Sequence, residues 1–131
     1  MPKPRVYLGF DFGMQHIGVA SGQSLTHTAT PLAVLKAHDG IPEWETIRAL
    51  IQEFQPSALI VGIPLHMNGT EQELTFAARK FAHRLQARFK LPIHTVDERL
   101  TTQAARRHPP NDPLDSLAAK VILEDWLHQQ K

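Results

Sequence analysis

Ala58-Leu59-Ile60-Val61-Gly62-Ile63 is an unbroken apolar run that ends at Pro64. A strand with one wet face alternates apolar and polar residues, whereas a run without alternation belongs to a strand covered on both faces, as in a parallel sheet with helices above and below. Helical patterns flank it. Upstream, Trp44, Ile47, Leu50, Ile51 and Phe54 recur at helical spacing behind Ile41-Pro42, where Pro42 suits a first turn, and Pro56 ends the pattern. Downstream, Leu74, Ala77, Ala78, Phe81, Leu85 and Phe89 form an apolar stripe, with Thr70 and Glu73 spaced as a capping box.

Working outward, Val6 to Phe12 is an apolar run interrupted by Gly9, and Ile17 to Ala20 follows after Gly13-Met14-Gln15-His16, the pattern of a hairpin. Thr28 to Leu35 reads as a third strand and Pro92 to Val96 as a fifth. Thr101 to Arg107 reads as a short helix, Pro109-Pro110-Asn111-Asp112-Pro113 as a rigid turn, and Pro113 to His128 as a last helix. The expected architecture is an α/β sandwich with a mixed five-stranded sheet flanked by helices. The last two strands are expected to be parallel, joined by a right-handed helical crossover.

The bulk numbers bound the rest. A chain of 131 residues, 42% hydrophobic and 21% charged, fits a single globular domain spanning 1–131. It contains no cysteine, which removes disulfides, thiolate zinc sites and cysteine nucleophiles. No apolar run approaches the length of a membrane span and the first residues do not form a signal peptide, so a cytoplasmic protein without a membrane partner is expected. The net charge of +1 hides an uneven distribution: from Arg79 to Arg107 eight basic residues face only Asp97 and Glu98. Lys80, Arg84 and Arg88, at i, i+4 and i+8 of one helix, together with Arg99, are the candidate contacts to a nucleic-acid backbone. The eight histidines show no metal-ligand spacing, and neither a GxGxxG nor a P-loop pattern occurs, which argues against a dinucleotide enzyme or a conventional NTPase.

Chemistry then falls to carboxylates. In Gly9-Phe10-Asp11-Phe12-Gly13 an acid near the end of the first strand stands between two glycines, where a ligand backbone could approach. An acid in so apolar a run needs compensation by a metal ion, an arginine or a turn. Val96-Asp97-Glu98-Arg99 ends the fifth strand with two acids. Alternation points them to opposite faces, so one is expected to reach the site and periodicity leaves the choice open. Asp115 heads the stripe Ala118, Ala119, Ile122, Trp126 of the last helix, and at its first turn the helix dipole alone would also favour it. Asp11, Asp97, Glu98 and Asp115 are therefore the candidate catalytic set, with Asp11, Glu98 and Asp115 as the candidate ligands of Mg²⁺ or Mn²⁺. Hard oxygen donors of this kind hold the paired cations that activate water against a phosphodiester.

With these residues in place the chain resembles the YqgF family, also called RuvX, over almost its whole length. The resemblance rests on Phe10-Asp11-Phe12-Gly13, Ile17-Gly18-Val19-Ala20, Ala29-Thr30-Pro31-Leu32, Ile60 to Leu65 with Met67-Asn68-Gly69-Thr70, Asp97 to Thr102, and Leu114 to Ala119 with Ile122-Leu123. It implies a ribonuclease H-like fold and a nuclease that processes the 5′ end of the small-subunit (16S) rRNA precursor in ribosome biogenesis. It carries the acidic site onto Asp11, the Asp97-Glu98 pair and Asp115. The alternatives are a Holliday junction resolvase acting on four-way DNA junctions and a non-catalytic RNA-binding assembly factor. An ATP-binding domain of the actin and sugar-kinase superfamily would need a second domain. This chain departs from the family at His16, where many members have arginine, at His66, where asparagine is usual, and in a short, lysine-free stretch from Arg106 to Asp115.

Overall fold

The computed structural model describes residues 4–65, 68–98 and 115–130, with side chains in the last segment from Leu117 onward. Its elements are β1 (Val6–Asp11), β2 (His16–Gln23), β3 (Thr28–His38), β4 (Ile41–Pro42), α1 (Trp44–Phe54), β5 (Ala58–Ile63), α2 (Glu73–Phe89), β6 (Ile93–Asp97) and α3 (Asp115–Gln129). Among the described residues the strands form one sheet in the order β4-β3-β2-β1-β5-β6. β1, β2 and β3 are antiparallel neighbours, while β1-β5 and β5-β6 are parallel, so the sheet is mixed as the run Ala58–Ile63 implies. The expected short helix 101–107, the turn 109–113 and the side chains of Arg99 and His66 lie outside the described residues.

Among the described residues the strand count is six, not five. Ile41–Pro42 does not open α1 but pairs with Ala37 and His38 as a two-residue edge strand, and the helix starts at Trp44. Asp39 and Gly40 have positive φ (51° and 80°), which turns β3 back on itself before a helix can begin. β3 also runs to His38 rather than Leu35. It tolerates Pro31 because the ladder slips there: Ala33 pairs with Val19 and Pro31 with Ala20, leaving Leu32 as the extra residue of a bulge. At α2 the capping residues are Gln72 and Thr75, not Thr70 and Glu73. The buried Thr75 hydroxyl accepts the Gln72 N–H at 3.0 Å and donates to the Pro64 carbonyl, tying the end of β5 to the start of the helix.

Each face of the sheet has its own core. On one side Leu8 and Phe10 of β1, Phe12 just after it, Ile17 and Val19 of β2, and Leu59, Val61 and Ile63 of β5 pack under Ile47 of α1 and Ala78, Phe81 and Leu85 of α2. On the other, Tyr7, Ala20, Ala29, Ala58, Ile60 and Val96 pack under Ala119, Ile122, Leu123, Trp126 and Leu127 of α3. Full burial of one such side chain is worth about 1.5–3 kcal/mol, which makes the double covering the main source of stability. Consecutive β1 residues thus alternate between the two cores, and this alternation decides where every functional side chain points.

α3 lies close to the sheet because Gly9 of β1 puts no side chain beneath it. A Cβ at Gly9 would stand 2.8 Å from Leu123 Cβ and 3.3 Å from the Ala119 carbonyl oxygen. Gly13 is also spoken for, since a Cβ there would meet the His16 carbonyl at 2.5 Å. The glycines on either side of Asp11 therefore serve helix packing and a tight turn, and neither is left open for an approaching ligand backbone. Gly9→Ala should cost about 1–3 kcal/mol, because atoms near the helix backbone cannot swing away as a side-chain tip can. Chemical denaturation with an unchanged m-value and a lower midpoint is the expected result; an unchanged midpoint would show that α3 floats free of β1.

Candidate active site

Asp11 is the last residue of β1 and is half-buried. In the alternation set by Tyr7, Gly9 and Asp11, its side chain belongs to the face covered by α3. Its in-register neighbours are Gly18 on β2 and Gly62 on β5, neither of which carries a side chain. Phe10 and Phe12, on either side of it in sequence, point into the opposite core and hold the strand end firmly.

Asp97 is the last residue of β6 and Glu98 follows it, and their surroundings differ. Val96 sits in the α3 core, while Thr95 lies beside Arg79, Ala82 and His83 of α2. Alternation therefore sends Asp97 to the α2 face. Glu98 folds back over β5: a Cβ on Gly62 would be 3.0 Å from Glu98 Cγ and 3.2 Å from Cδ, and 2.6 Å from Ile122 Cδ1 of α3. Gly62 is the register partner of Asp11. Glu98 and Asp11 consequently share one face and one edge of the sheet, and Asp97 does not share it.

The start of α3 reaches the same place. Trp126 packs edge-on against Tyr7 at 4.8 Å between ring centroids, and Ala119 lies over Gly9, so α3 runs back along β1. From Ala119 to Asp115 the helix climbs about 6 Å. Along β1 from Gly9 to Asp11 the chain advances about 6.6 Å. The backbone of Asp115 is thereby carried to the Asp11 end of the sheet. The other acids of α3 are used differently. Glu124 accepts the Ala29 N–H at 3.1 Å and clamps the helix to β3, and burial pushes the Asp125 carboxyl above its ordinary value, with one oxygen lacking a hydrogen bond among the described residues.

Among the described residues no group of three or more metal-type ligands is assembled, the Asp115 side chain being outside them. Two carboxylates on one face nonetheless have the chemistry of ligands for a hard divalent cation, and the missing side chain at Gly62 leaves the space that Glu98 and Ile122 fill. That use of Gly62 is a site feature the sequence reading passed over. Its signal was a glycine inside an otherwise continuous apolar strand, which commonly marks close approach by another group.

The basic stripe is not gathered at this edge. Lys80 is exposed, Arg84 is half-buried, and the Arg88 guanidinium lies 4.4 Å over the Trp44 ring. The three spread over about 12 Å of α2, a helix that covers the sheet face opposite Asp11 and Glu98. Arg79, on another flank, pairs with Glu71. At the mouth of the sheet on the α2 side, Met14 and Phe76 are exposed beside a cavity of about 760 Å³.

Known proteins share both the sequence and the fold. The family profile described as "RuvX: Holliday junction resolvase" matches residues 5–129. A Coxiella burnetii protein named "Putative pre-16S rRNA nuclease" is 55% identical, over 96% of this chain and 94% of its own. One of the same name from Nitrosococcus oceani is 49% identical, over 98% and 90%. Among solved structures, Thermus thermophilus RuvC superposes with a TM-score of 0.61 in its complex with a Holliday junction substrate, at 16% identity over 96% of this chain and 95% of that one. That likeness is one of fold, and it makes the sheet and its flanking helices ribonuclease H-like. With the profile spanning nearly every residue and relatives near half identical from end to end, the chain belongs to the RuvX family.

Proposed function

We propose that the chain is a metal-dependent nuclease that hydrolyses phosphodiester bonds and matures the 5′ end of the 16S rRNA precursor. The observation that supports this reading is that Glu98 lies over Gly62, the register partner of Asp11, at the end of the sheet that the backbone of α3 begins beside. The name borne by relatives at 55% and 49% identity supports rRNA as the substrate.

In this reading Asp11, Glu98 and Asp115 hold Mg²⁺ or Mn²⁺. When bound, such a cation supplies Lewis acidity at the phosphoryl oxygens and lowers the pKa of an attacking water. The chain's own contribution is placement. Phe10 and Phe12 fix the β1 end in the core, so that the Asp11 carboxylate is presented without backbone motion. Gly62 leaves the Glu98 side chain room to lie over β5, and Asp97, on the α2 face, acts by positioning the chain that leads into Glu98. Lys80, Arg84 and Arg99 act as further contacts to the backbone of a longer RNA.

A second reading, cleavage of four-way DNA junctions, is favoured by the description of the family profile. One assay separates the two: precursor rRNA and a four-way junction are offered side by side to the purified protein, with Mg²⁺, Mn²⁺ or EDTA. Cleavage of the rRNA precursor only with metal is the expected result. Preferential cutting of the junction would replace the substrate, and tight binding with no cleavage of either would make the protein a non-catalytic RNA-binding factor.

A further inference from the structure

Lys36 is a cation on the α3 face that has no ion-pair partner among the described residues. Lys36 on β3 is the register partner of His16 on β2. Its sequence neighbours Leu35 and Ala37 belong to the α1-α2 core, as does Ile17 beside His16. Alternation therefore turns Lys36 and His16 to the same face as Asp11 and Glu98. The rows of the sheet fix how far apart they are. Asp11, Gly18 and Val34 stand in one row across β1, β2 and β3, and His16 and Lys36 stand in the next row toward the open edge. Two strand spacings and one two-residue repeat put the Lys36 Cα roughly 12 Å from that of Asp11. A four-carbon stem can sweep its ammonium over much of that gap.

The platform is held by backbone hydrogen bonds rather than by side chains. The Ala37 N–H donates to the Gln15 carbonyl and the Gly40 N–H to the Met14 carbonyl, both at 2.8 Å, which pins the β3-β4 turn to the loop that leaves Asp11. Three other basic residues already have partners. Arg79 is paired with Glu71, Arg48 with Glu45, and Arg88 is stacked on Trp44. Lys36 is exposed and has no carboxylate partner among the described residues.

We propose that Lys36 is a substrate-positioning residue that binds the phosphate of a nucleotide next to the one held at the Asp11-Glu98 edge, with His16 beside it. The inference rests on the nuclease reading above. It gives the site a polarity the acids alone lack: substrate backbone enters over β2 and β3, across a lysine, and meets the carboxylates at β1 and β5. A cation one nucleotide away lowers the cost of bringing a polyanion to a cluster of negative side chains, and it does so in ground state and transition state alike.

The test is the salt dependence of steady-state cleavage of the preferred nucleic acid, with Mn²⁺ present, for the parent protein, Lys36→Ala and Lys36→Arg. Lys36→Ala should raise KM several-fold with kcat nearly unchanged and should flatten the slope of log KM against log salt by about 0.7–0.9, the loss of one phosphate contact. Lys36→Arg should restore both. Equal thermal melting of the three proteins separates this from a folding defect. A parent that cleaves while Lys36→Ala keeps its KM and its slope overturns the assignment of Lys36 alone. A parent that cleaves nothing overturns the nuclease reading and this inference with it.

Discussion

Asp11→Asn is expected to lower metal-dependent cleavage on the order of 10³-fold, about 4 kcal/mol of transition-state stabilisation, with the fold intact. The size follows from position. Asp11 ends a strand whose neighbours in sequence, Phe10 and Phe12, are buried in the opposite core, and its register partners are both glycines. No other acid of β1 can take over, because β1 contains none. The amide keeps the shape and most hydrogen-bonding capacity but removes the charge, so metal affinity falls and packing does not change. Cleavage rates with Mg²⁺ and Mn²⁺, read beside circular dichroism and thermal melting, check this. Undiminished cleavage by a folded Asp11→Asn protein would place the chemistry elsewhere.

The second large effect is a contrast between adjacent residues. Glu98→Gln should cost about as much as Asp11→Asn, whereas Asp97→Asn should retain activity within roughly 10-fold. The two acids differ in which core their strand neighbours join: Val96 the α3 core, Thr95 the flank of α2. Glu98 alone folds over Gly62 beside Asp11. Gly62→Ala then serves as a third arm, because its methyl group would meet Glu98 Cγ at 3.0 Å and push the carboxylate off the site without removing it. It should lower kcat while leaving the acid present. If Asp97→Asn is the inactive variant and Glu98→Gln the active one, the assignment of faces at the end of β6 is reversed.

Element types were legible in sequence because they depend on local periodicity. The apolar run Ala58–Ile63 announced a strand covered on both faces, and it lies inside the sheet between β1 and β6. The stripe from Leu74 to Phe89 announced α2, whose Ala78, Phe81 and Leu85 are buried. Less legible were features governed by one or two backbone angles. Ile41-Pro42 suits the first turn of a helix, yet positive φ at Asp39 and Gly40 folds it into an edge strand first.

The candidate acids were nameable from composition and placement alone, since carboxylates at the ends of apolar strands are costly without a purpose. Their grouping was not. A period of two states that Asp97 and Glu98 diverge, but it carries no information about which face α3 will cover, because that choice is made by residues far away in the chain. Gly9 and Gly13 looked like room for a ligand; tertiary packing gave the first to Leu123 and the second to the His16 carbonyl. Likewise Lys36 belongs to no motif, and acquires a place beside Asp11 only through the register of three strands. Local sequence thus determined what each segment is and which residues carry charge. The packing of α3 on one face of the sheet decided which of those charges meet.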